Sequence, residues 1–193
     1  MEPFPSEQAG KYARFELERR FVLESVPSDL DLGYGWRIID RYIENTRLRL
    51  RRMDPIHRGE TILKLGQKDV PSPPDFGRMT ITNIYLSPPE YSVLSGLDAL
   101  ELRKRRYSAA HDERSFGIDV FEGDLTGLVL AETGFDTGAE MKQPLDLPVW
   151  VGAEVTTDDR FTGGSLARLA RGEALELISR IPSLAAGRKP DPS

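Results

Sequence analysis

Apolar and polar residues alternate along much of the chain with a period of two. In FELERRF, from Phe15 to Phe21, the acidic residues Glu16 and Glu18 share one face with Arg20, opposite mainly apolar positions. Eight further stretches have a strand-like pattern, and they start at Trp36, Arg47, Thr61, Arg78, Ala99, Phe116, Gly127 and Val151. Turns that contain Gly and Asp separate several of them. Short strands at this spacing predict an antiparallel sheet that closes on itself.

Helical spacing is confined to two stretches. Ser87 comes before two prolines, which is typical of a helix N-terminus. From Ser165 to Pro182 apolar residues recur at helical spacing, and Gly172 is predicted to interrupt this helix. We expect the helix to pack on the apolar outside of the barrel. The pattern therefore predicts an α+β chain that is mainly β, with a few flanking helices.

Length and composition limit the classes of protein to consider. The 193 residues suit one domain, which we place at residues 12–181 between flexible ends at 1–11 and 182–193. The chain has no Cys, which excludes thiol chemistry and disulfides. It has neither an apolar run of about 18 residues nor a signal-peptide pattern, so we expect a cytoplasmic protein without a membrane partner. A net charge of −5 argues against nucleic acid as a partner.

Like charges are clustered on several of the predicted strands. Arg47, Arg49 and Arg51 share one face of their strand, and Lys104 and Arg106 share another. One interpretation is a curved sheet whose charged face lies in water, with salt bridges between strands. The other is a barrel whose charged faces line a central tunnel that binds a polyanion together with divalent cations. Composition and periodicity alone leave both interpretations open.

The order of the charged strands resembles that of the CYTH domains, also called triphosphate tunnel metalloenzymes. Glu16-Leu-Glu18-Arg-Arg20 is similar to the ExExK signature that opens this family. Further matches follow in the family's order, at Leu48–Arg51, Ile62–Lys68, Lys104–Tyr107, Ile118–Glu132 and Gly152–Ala167. The resemblance covers roughly residues 14–169. It implies an eight-stranded antiparallel tunnel that binds a small anionic triphosphate or another phosphorylated ligand with Mg²⁺ or Mn²⁺.

The resemblance also implies roles for particular side chains. The residues implied as ligands of the metal are Glu16, Glu18, Asp119, Glu132 and Glu154, and Glu16, Glu18 and Glu132 are implied as catalytic. The residues implied to bind phosphate are Arg20, Arg49, Arg51, Lys64, Lys104 and Arg106. The implied activity is metal-dependent hydrolysis of inorganic triphosphate or a small organic triphosphate. The sequence leaves open whether the protein is a monomer or a homodimer.

The sequence departs from the family pattern at several positions. Arg20 replaces the signature Lys and cannot serve as a general base. Thr80 and Thr82 stand where many members have carboxylates, and Gly134 stands where many have a second acid after the hairpin. A degenerate tunnel that binds a phosphorylated metabolite or polyphosphate without turnover is therefore the alternative. An adenylate cyclase of the same family is a less favoured one.

Overall fold

A computed structural model describes residues 12–71 and 74–181, so the ends predicted to be flexible lie outside the described residues. Eight antiparallel strands form a closed barrel in the order β1-β5-β4-β3-β2-β6-β7-β8, which confirms the predicted fold class. The strands are β1 (Arg14–Leu23), β2 (Trp36–Ile43), β3 (Leu48–Pro55), β4 (Ile62–Asp69), β5 (Arg78–Tyr85), β6 (Ala99–His111), β7 (Arg114–Phe121) and β8 (Val129–Gly134).

Strand β1 closes the barrel by pairing with a different strand along each half. Residues 14–17 pair with β5, and residues 18–23 pair with β8. The stretch that starts at Val151 was predicted as a further strand, and this prediction is wrong. It forms one isolated bridge, between Glu154 and Phe21. Strand β5 pairs with β1 only up to Leu17, so a short edge of β1 beyond Leu17 stays open on that side. Residues 152–155 fill this edge, and the Val155 amide donates to the Arg20 carbonyl at 2.8 Å.

The helices are short and lie between or after the strands. They are α1 (Pro88–Leu94), α2 (Gly138–Met141), α3 (Gly163–Leu166) and α4 (Arg171–Ser179). The predicted helix start at Ser87 is confirmed, and the Ser87 amide donates to the Glu90 carboxylate at 2.7 Å. The predicted interruption at Gly172 is wrong. The break falls at residues 167–170, and Gly172 lies in the first turn of α4. None of the described helices is long and apolar enough to cross a membrane.

The C-terminal helices close one end of the barrel. Directly paired residues of antiparallel strands share a face, so the register places Val22, Leu102, Phe121 and Leu130 on the inner wall. These side chains form one apolar cluster with residues 161–181, among them Leu177. We call residues 159–181 the plug. The expectation that the last helix covers the outside of the barrel is therefore wrong, because its apolar face meets inward-facing residues.

A second apolar cluster covers part of the outer wall. It contains Phe21, Phe116 and Ile118, which alternate with inward-facing residues, and Val151 from the segment before the plug. Trp150 packs on this cluster, with its ring 5.5 Å from that of Phe116 and perpendicular to it. Burial on both sides fixes the register, because a shift by one residue would turn these aromatic side chains into the charged interior.

Candidate functional site

The register brings ten of the eleven residues implied as site residues to the inner wall of the barrel, and only Glu154 lies elsewhere. Those inside are Glu16, Glu18, Arg20, Arg49, Arg51, Lys64, Lys104, Arg106, Asp119 and Glu132. Solvent reaches this site, since the side chains of Glu16, Lys68 and Arg106 are 24%, 29% and 26% exposed.

Three carboxylates, which we call the acidic group, lie close together: Glu16, Glu18 and Glu132. Glu16 accepts a hydrogen bond from Lys68, and Glu132 accepts one from Arg20 at 2.9 Å and one from Arg106. Glu18 has no side-chain partner among the described residues. Burial, together with repulsion from Glu132 and Glu16, raises the pKa of Glu18 to about 7. Lys68 and Arg106 lower this pKa only in part, so Glu18 is a carboxylate that is incompletely compensated by the cations around it.

Glu132 is the acid of this group that is most strongly held as an anion. Burial would raise its pKa, but the charges of Arg106 and Arg20 outweigh burial and hold the pKa well below its usual range. Burial would likewise raise the pKa of Glu16, and Lys68 lowers it below the ordinary value. Both acids therefore keep their charge near neutral pH, which adds to the repulsion on Glu18.

Asp119 orients two cations. It is 1% exposed and accepts a hydrogen bond from Lys104 at 2.6 Å. Arg106 donates to both of its oxygens, at 2.6 and 2.5 Å. Two cations also hold Glu132, but the Asp119 side chain is 1% exposed and that of Glu132 is 14% exposed, so Asp119 is the less accessible of the two to a metal ion and positions Lys104 and Arg106.

Asp40 is a site residue that the sequence did not reveal. It is 1% exposed and accepts two hydrogen bonds from Arg51, at 2.5 and 2.6 Å, while Arg49 lies 3.5 Å away. Burial would raise its pKa, and the two arginines lower it far below its ordinary value. The sequence offered one indication of its role, because Asp40 is the single acid in the otherwise apolar and basic strand WRIIDRYI.

A second group, which we call the basic wall, is formed by Arg49 and Arg51 on β3 and Lys64 on β4. Its charge exceeds that of Asp40, its one direct carboxylate partner within residues 12–71 and 74–181. Burial and then the charges of Arg51 and Arg49 lower the pKa of Lys64 to about 8. The buried Nε of Arg49 has no hydrogen-bond partner among the described residues. The basic wall therefore has surplus positive charge and a buried donor, the Arg49 Nε, that lies 3.5 Å from Asp40 but forms no hydrogen bond with it.

Strand β5 supplies no carboxylate to the interior. Met79 pairs with Glu16, so Met79 and Ile81 face inward, and they are 7% and 3% exposed. Thr80 lies on the outer face, together with Thr82. The expectation that these threonines occupy tunnel positions of the family motif is therefore wrong.

Glu154 lies apart from the other implied metal ligands, on the outer wall. Its carboxylate accepts two hydrogen bonds from Arg19, at 2.9 and 2.5 Å. Both residues border a cavity of about 500 Å³ that also includes Arg78 and Lys142. Glu154 neutralises Arg19 on this outer face, whereas the larger cluster of basic side chains lies inside the barrel, and the interior is therefore the candidate phosphate site.

The acidic group has the kind of ligand atoms that a hard divalent cation binds. Such cations prefer several carboxylate oxygens, and a cation beside Glu18 would relieve the repulsion that raises its pKa. Among the described residues, the set whose possible ligand atoms all lie within 4.8 Å of one another is His111, Asp112 and Asp146, and the three carboxylates of the acidic group are not that close together. That set lies largely exposed, at the hairpin between β6 and β7 and the loop before the plug.

Comparison with known proteins shows the fold. No protein-family model and no curated protein matches the sequence. A solved structure described as the inorganic triphosphatase NE1496 is 23% identical, with a TM-score of 0.54, and the match covers 80% of this chain and 95% of that chain. A structure of the hypothetical protein NE1496 is 25% identical, with a TM-score of 0.51, over 79% of this chain and 97% of that one. The chain thus has the CYTH-like tunnel fold.

Proposed function

We propose that this protein is a metal-dependent triphosphatase that hydrolyses inorganic triphosphate or a small organic triphosphate inside the barrel. The observation that carries the proposal is the separation of charge on the inner wall. The acidic group includes the unpaired Glu18, and the basic wall has surplus positive charge. A polyphosphate with a divalent cation compensates both at once, because the cation neutralises the acids and the phosphates neutralise the bases.

The basic wall would bind and orient the phosphate oxygens. Phosphoryl transfer needs in-line placement and neutralisation of charge, and arginine offers planar paired donors for this task. Arg106 donates to Asp119 and Glu132, so it ties the basic side chains to the acidic group. Arg20 holds Glu132 from the other side and keeps its own proton, so it acts as a positioning residue.

The acidic group would hold Mg²⁺ or Mn²⁺. The ion supplies positive charge to phosphate oxygens and lowers the pKa of a bound water. Because Gly134 lies opposite Glu18 and β5 supplies no acid, the described interior offers carboxylates for one such ion more readily than for two.

Phosphate release tests the proposal directly. Tripolyphosphate comes first, because NE1496 is described as an inorganic triphosphatase. Thiamine triphosphate and nucleoside triphosphates follow, each with Mg²⁺ or Mn²⁺, and cyclic AMP is measured with ATP. We expect Glu18→Gln and Arg51→Gln to abolish turnover. Arg103→Gln is the matched control, since Arg103 lies on the outer face and bonds Glu101 at 2.7 Å. Folded protein that releases no phosphate from any of them would contradict the hydrolase proposal.

Binding without turnover is the second candidate function. The replacement of possible interior acids by Met79 and Ile81 favours it, because fewer carboxylates remain to organise a reacting water. Calorimetry with tripolyphosphate and Mn²⁺ separates the two functions. Tight binding without phosphate release supports the binding function, and absence of binding contradicts both.

A further inference from the structure

The cavity of about 500 Å³ on the outer wall is a candidate for a second binding site, and we call it the outer pocket. It lies where the pairing of β5 with β1 ends. Arg78, the first residue of β5, pairs directly with Leu17, and Arg19 follows Leu17 by two residues on the same strand face. These three side chains line the pocket together with residues 141–144, at the end of α2 and after it.

Hydrogen bonds hold the walls of the outer pocket together. The Arg19 guanidinium donates to the Gln143 carbonyl at 3.2 Å and to both carboxylate oxygens of Glu154. The Thr156 hydroxyl donates to Glu154 at 2.6 Å and accepts a hydrogen bond from the Arg20 amide at 3.0 Å. Because these bonds join β1 to both chain segments around the pocket, its walls are preformed, which is typical of sites for small molecules.

Positive charge is in surplus in the outer pocket. Among the described residues, its charged lining consists of three cations and two acids, namely Arg19, Arg78, Lys142, Asp75 and Glu154. Glu154 is occupied by Arg19, and Asp75 accepts a hydrogen bond from the Gly77 amide at 3.1 Å. Within residues 12–71 and 74–181, neither Arg78 nor Lys142 has a carboxylate partner. An anionic group would therefore find two cations available to it.

The outer pocket also has an apolar part, which Leu17, Met141 and Pro144 form. Gly77 allows Met141 to approach β1, because a Cβ at position 77 would collide with the Met141 side chain and would lie 2.8 Å from that of Thr156. Small-molecule sites have volumes of about 300–1,000 Å³ and combine apolar walls with a few polar groups. The outer pocket fits this description, so its ligand is expected to have an apolar body and a charged group.

The Arg78 guanidinium is well placed to bind a carboxylate. Its central carbon lies 4.6 Å from the centroid of the Phe15 ring. Such a contact uses the planar face of the group and leaves the N–H donors at its edge, which match the two oxygens of a carboxylate. Three cations against two acids leave a surplus of one positive charge, which suits a carboxylate better than a triphosphate with its several negative charges.

We propose that the outer pocket binds a small organic carboxylate. The charged group contacts Arg78 and Lys142, and the apolar part of the ligand lies against Leu17 and Met141. This site is separate from the barrel interior and does not depend on the proposed function.

Amide chemical shifts of the ¹⁵N-labelled full-length chain locate the site. The probes are acetate, hexanoate and 4-phenylbutyrate, which share the carboxylate and differ in the size of the apolar part. We expect shifts at Gly138, Gln143 and Thr157, which line the outer pocket, and tighter binding from acetate to 4-phenylbutyrate as more apolar surface is buried. Absence of shifts at these amides with all three probes would overturn the inference.

Substitution of the two available cations tests their role. Arg78→Gln and Lys142→Gln should each weaken binding of 4-phenylbutyrate at least about tenfold, because each removes a hydrogen bond between charged groups. Both residues are exposed and belong to neither apolar cluster, so these variants keep the cores intact. Arg103→Gln on the outer wall and Lys64→Gln in the interior are controls that should leave the affinity unchanged. Equal weakening by Lys64→Gln would place the probe in the interior and overturn the inference.

Two further ligands test the chemical class. The neutral amide 4-phenylbutyramide should bind at least about tenfold more weakly than 4-phenylbutyrate, since it lacks the charge that Arg78 and Lys142 recognise. Inorganic phosphate should also bind more weakly, because it has no apolar part. Equal or tighter binding of either ligand at the same amides would overturn the assignment of a carboxylate. Phosphate release from tripolyphosphate tests only the proposed function, so failure of one proposal is distinguishable from failure of the other.

Discussion

Replacement of Glu18 by Gln should stabilise the metal-free protein at alkaline pH and at the same time remove its response to divalent cations. The folded protein raises the pKa of Glu18 from 4.5 to about 7. Below about pH 4.5 the carboxyl is neutral in both the folded and the unfolded chain, so it does not lower the free energy of unfolding. Between about pH 4.5 and 7 the unfolded chain ionises first, so stability falls as pH rises. Above about pH 7 Glu18 is ionised in both states, and the folded protein carries the full loss of stability that this buried charge causes.

The size of the effect follows from the shift in pKa. Each unit corresponds to about 1.4 kcal/mol, so the difference between 4.5 and about 7 sets an upper limit of about 3 kcal/mol. Glu18 is half-buried, and screening by solvent reduces the penalty to about 1–2 kcal/mol. Glutamine has the same shape without the charge. The variant should therefore be more stable than the wild type by about 1–2 kcal/mol at about pH 8, and nearly equal to it at about pH 5.

Urea unfolding with a chelator, at both pH values, measures this difference. Addition of Mn²⁺ should then stabilise the wild type, because a ligand of the folded state adds to the free energy of unfolding, and it should leave the variant nearly unchanged. Glu24→Gln is the control, since Glu24 is exposed just beyond β1. Parallel pH profiles for wild type and Glu18→Gln, or equal stabilisation of both by Mn²⁺, would refute the reasoning.

Three further predictions concern other parts of the interior. Asp40→Asn should lower the free energy of unfolding by about 3–5 kcal/mol in urea, because it removes the partner of buried arginines, and a loss below about 1 kcal/mol would contradict this. Tripolyphosphate affinity, measured by calorimetry, should weaken above about pH 8 as Lys64 loses its proton, and Lys64→Gln should bind more weakly and without this pH dependence. Gly163→Ala should destabilise the protein by about 1–3 kcal/mol, since its Cβ would lie 2.0 Å from the Tyr42 hydroxyl. Gly172→Ala, which has open space in a helix, should be neutral or slightly stabilising in the same melts, and equal effects of the two would refute the close contact.

The period of two was sufficient to predict which residues of β1 share a face, whereas in β6 it permitted either Lys104 or Arg103 inside, and the motif resemblance favoured Lys104. In β1 every second residue from Glu16 to Arg20 is charged, and in β6 the pattern separates Lys104 from Arg103. The structure places Lys104 inside and bonds Arg103 to Glu101 outside. Alternation identifies the residues that share a face because strand geometry directs successive side chains to opposite faces.

The same period could not tell which face of β5 is inside. Met79 and Ile81 alternate with Thr80 and Thr82, and the motif resemblance placed the threonines in the tunnel. In an ordinary barrel the apolar face is the buried one, but here the interior is charged, so hydrophobicity no longer identifies a face. Only the pairing of Met79 with Glu16, a contact more than 60 residues apart in sequence, decides the orientation.

Docking of the last helices depends on long-range packing of the same kind. Helical spacing after Ser165 predicted a helix, yet not the surface that it covers. The sequence did contain an indication of where the plug docks. The inward face of a strand changes from charged to apolar residues there, as at Val22 after Arg20 and at Leu130 before Glu132. An apolar residue at the end of a charged face has to be covered, and the plug covers it.

Closure of one end also determines how an elongated ligand can be oriented. Because the plug packs on the inner wall beyond the charged residues, we expect a triphosphate bound as proposed to enter from the opposite end of the barrel. Its charged end would be attracted to the basic wall, so the phosphates would enter first and any organic group would follow. Closure of one end by the plug would thus give the proposed ligand a preferred direction of binding.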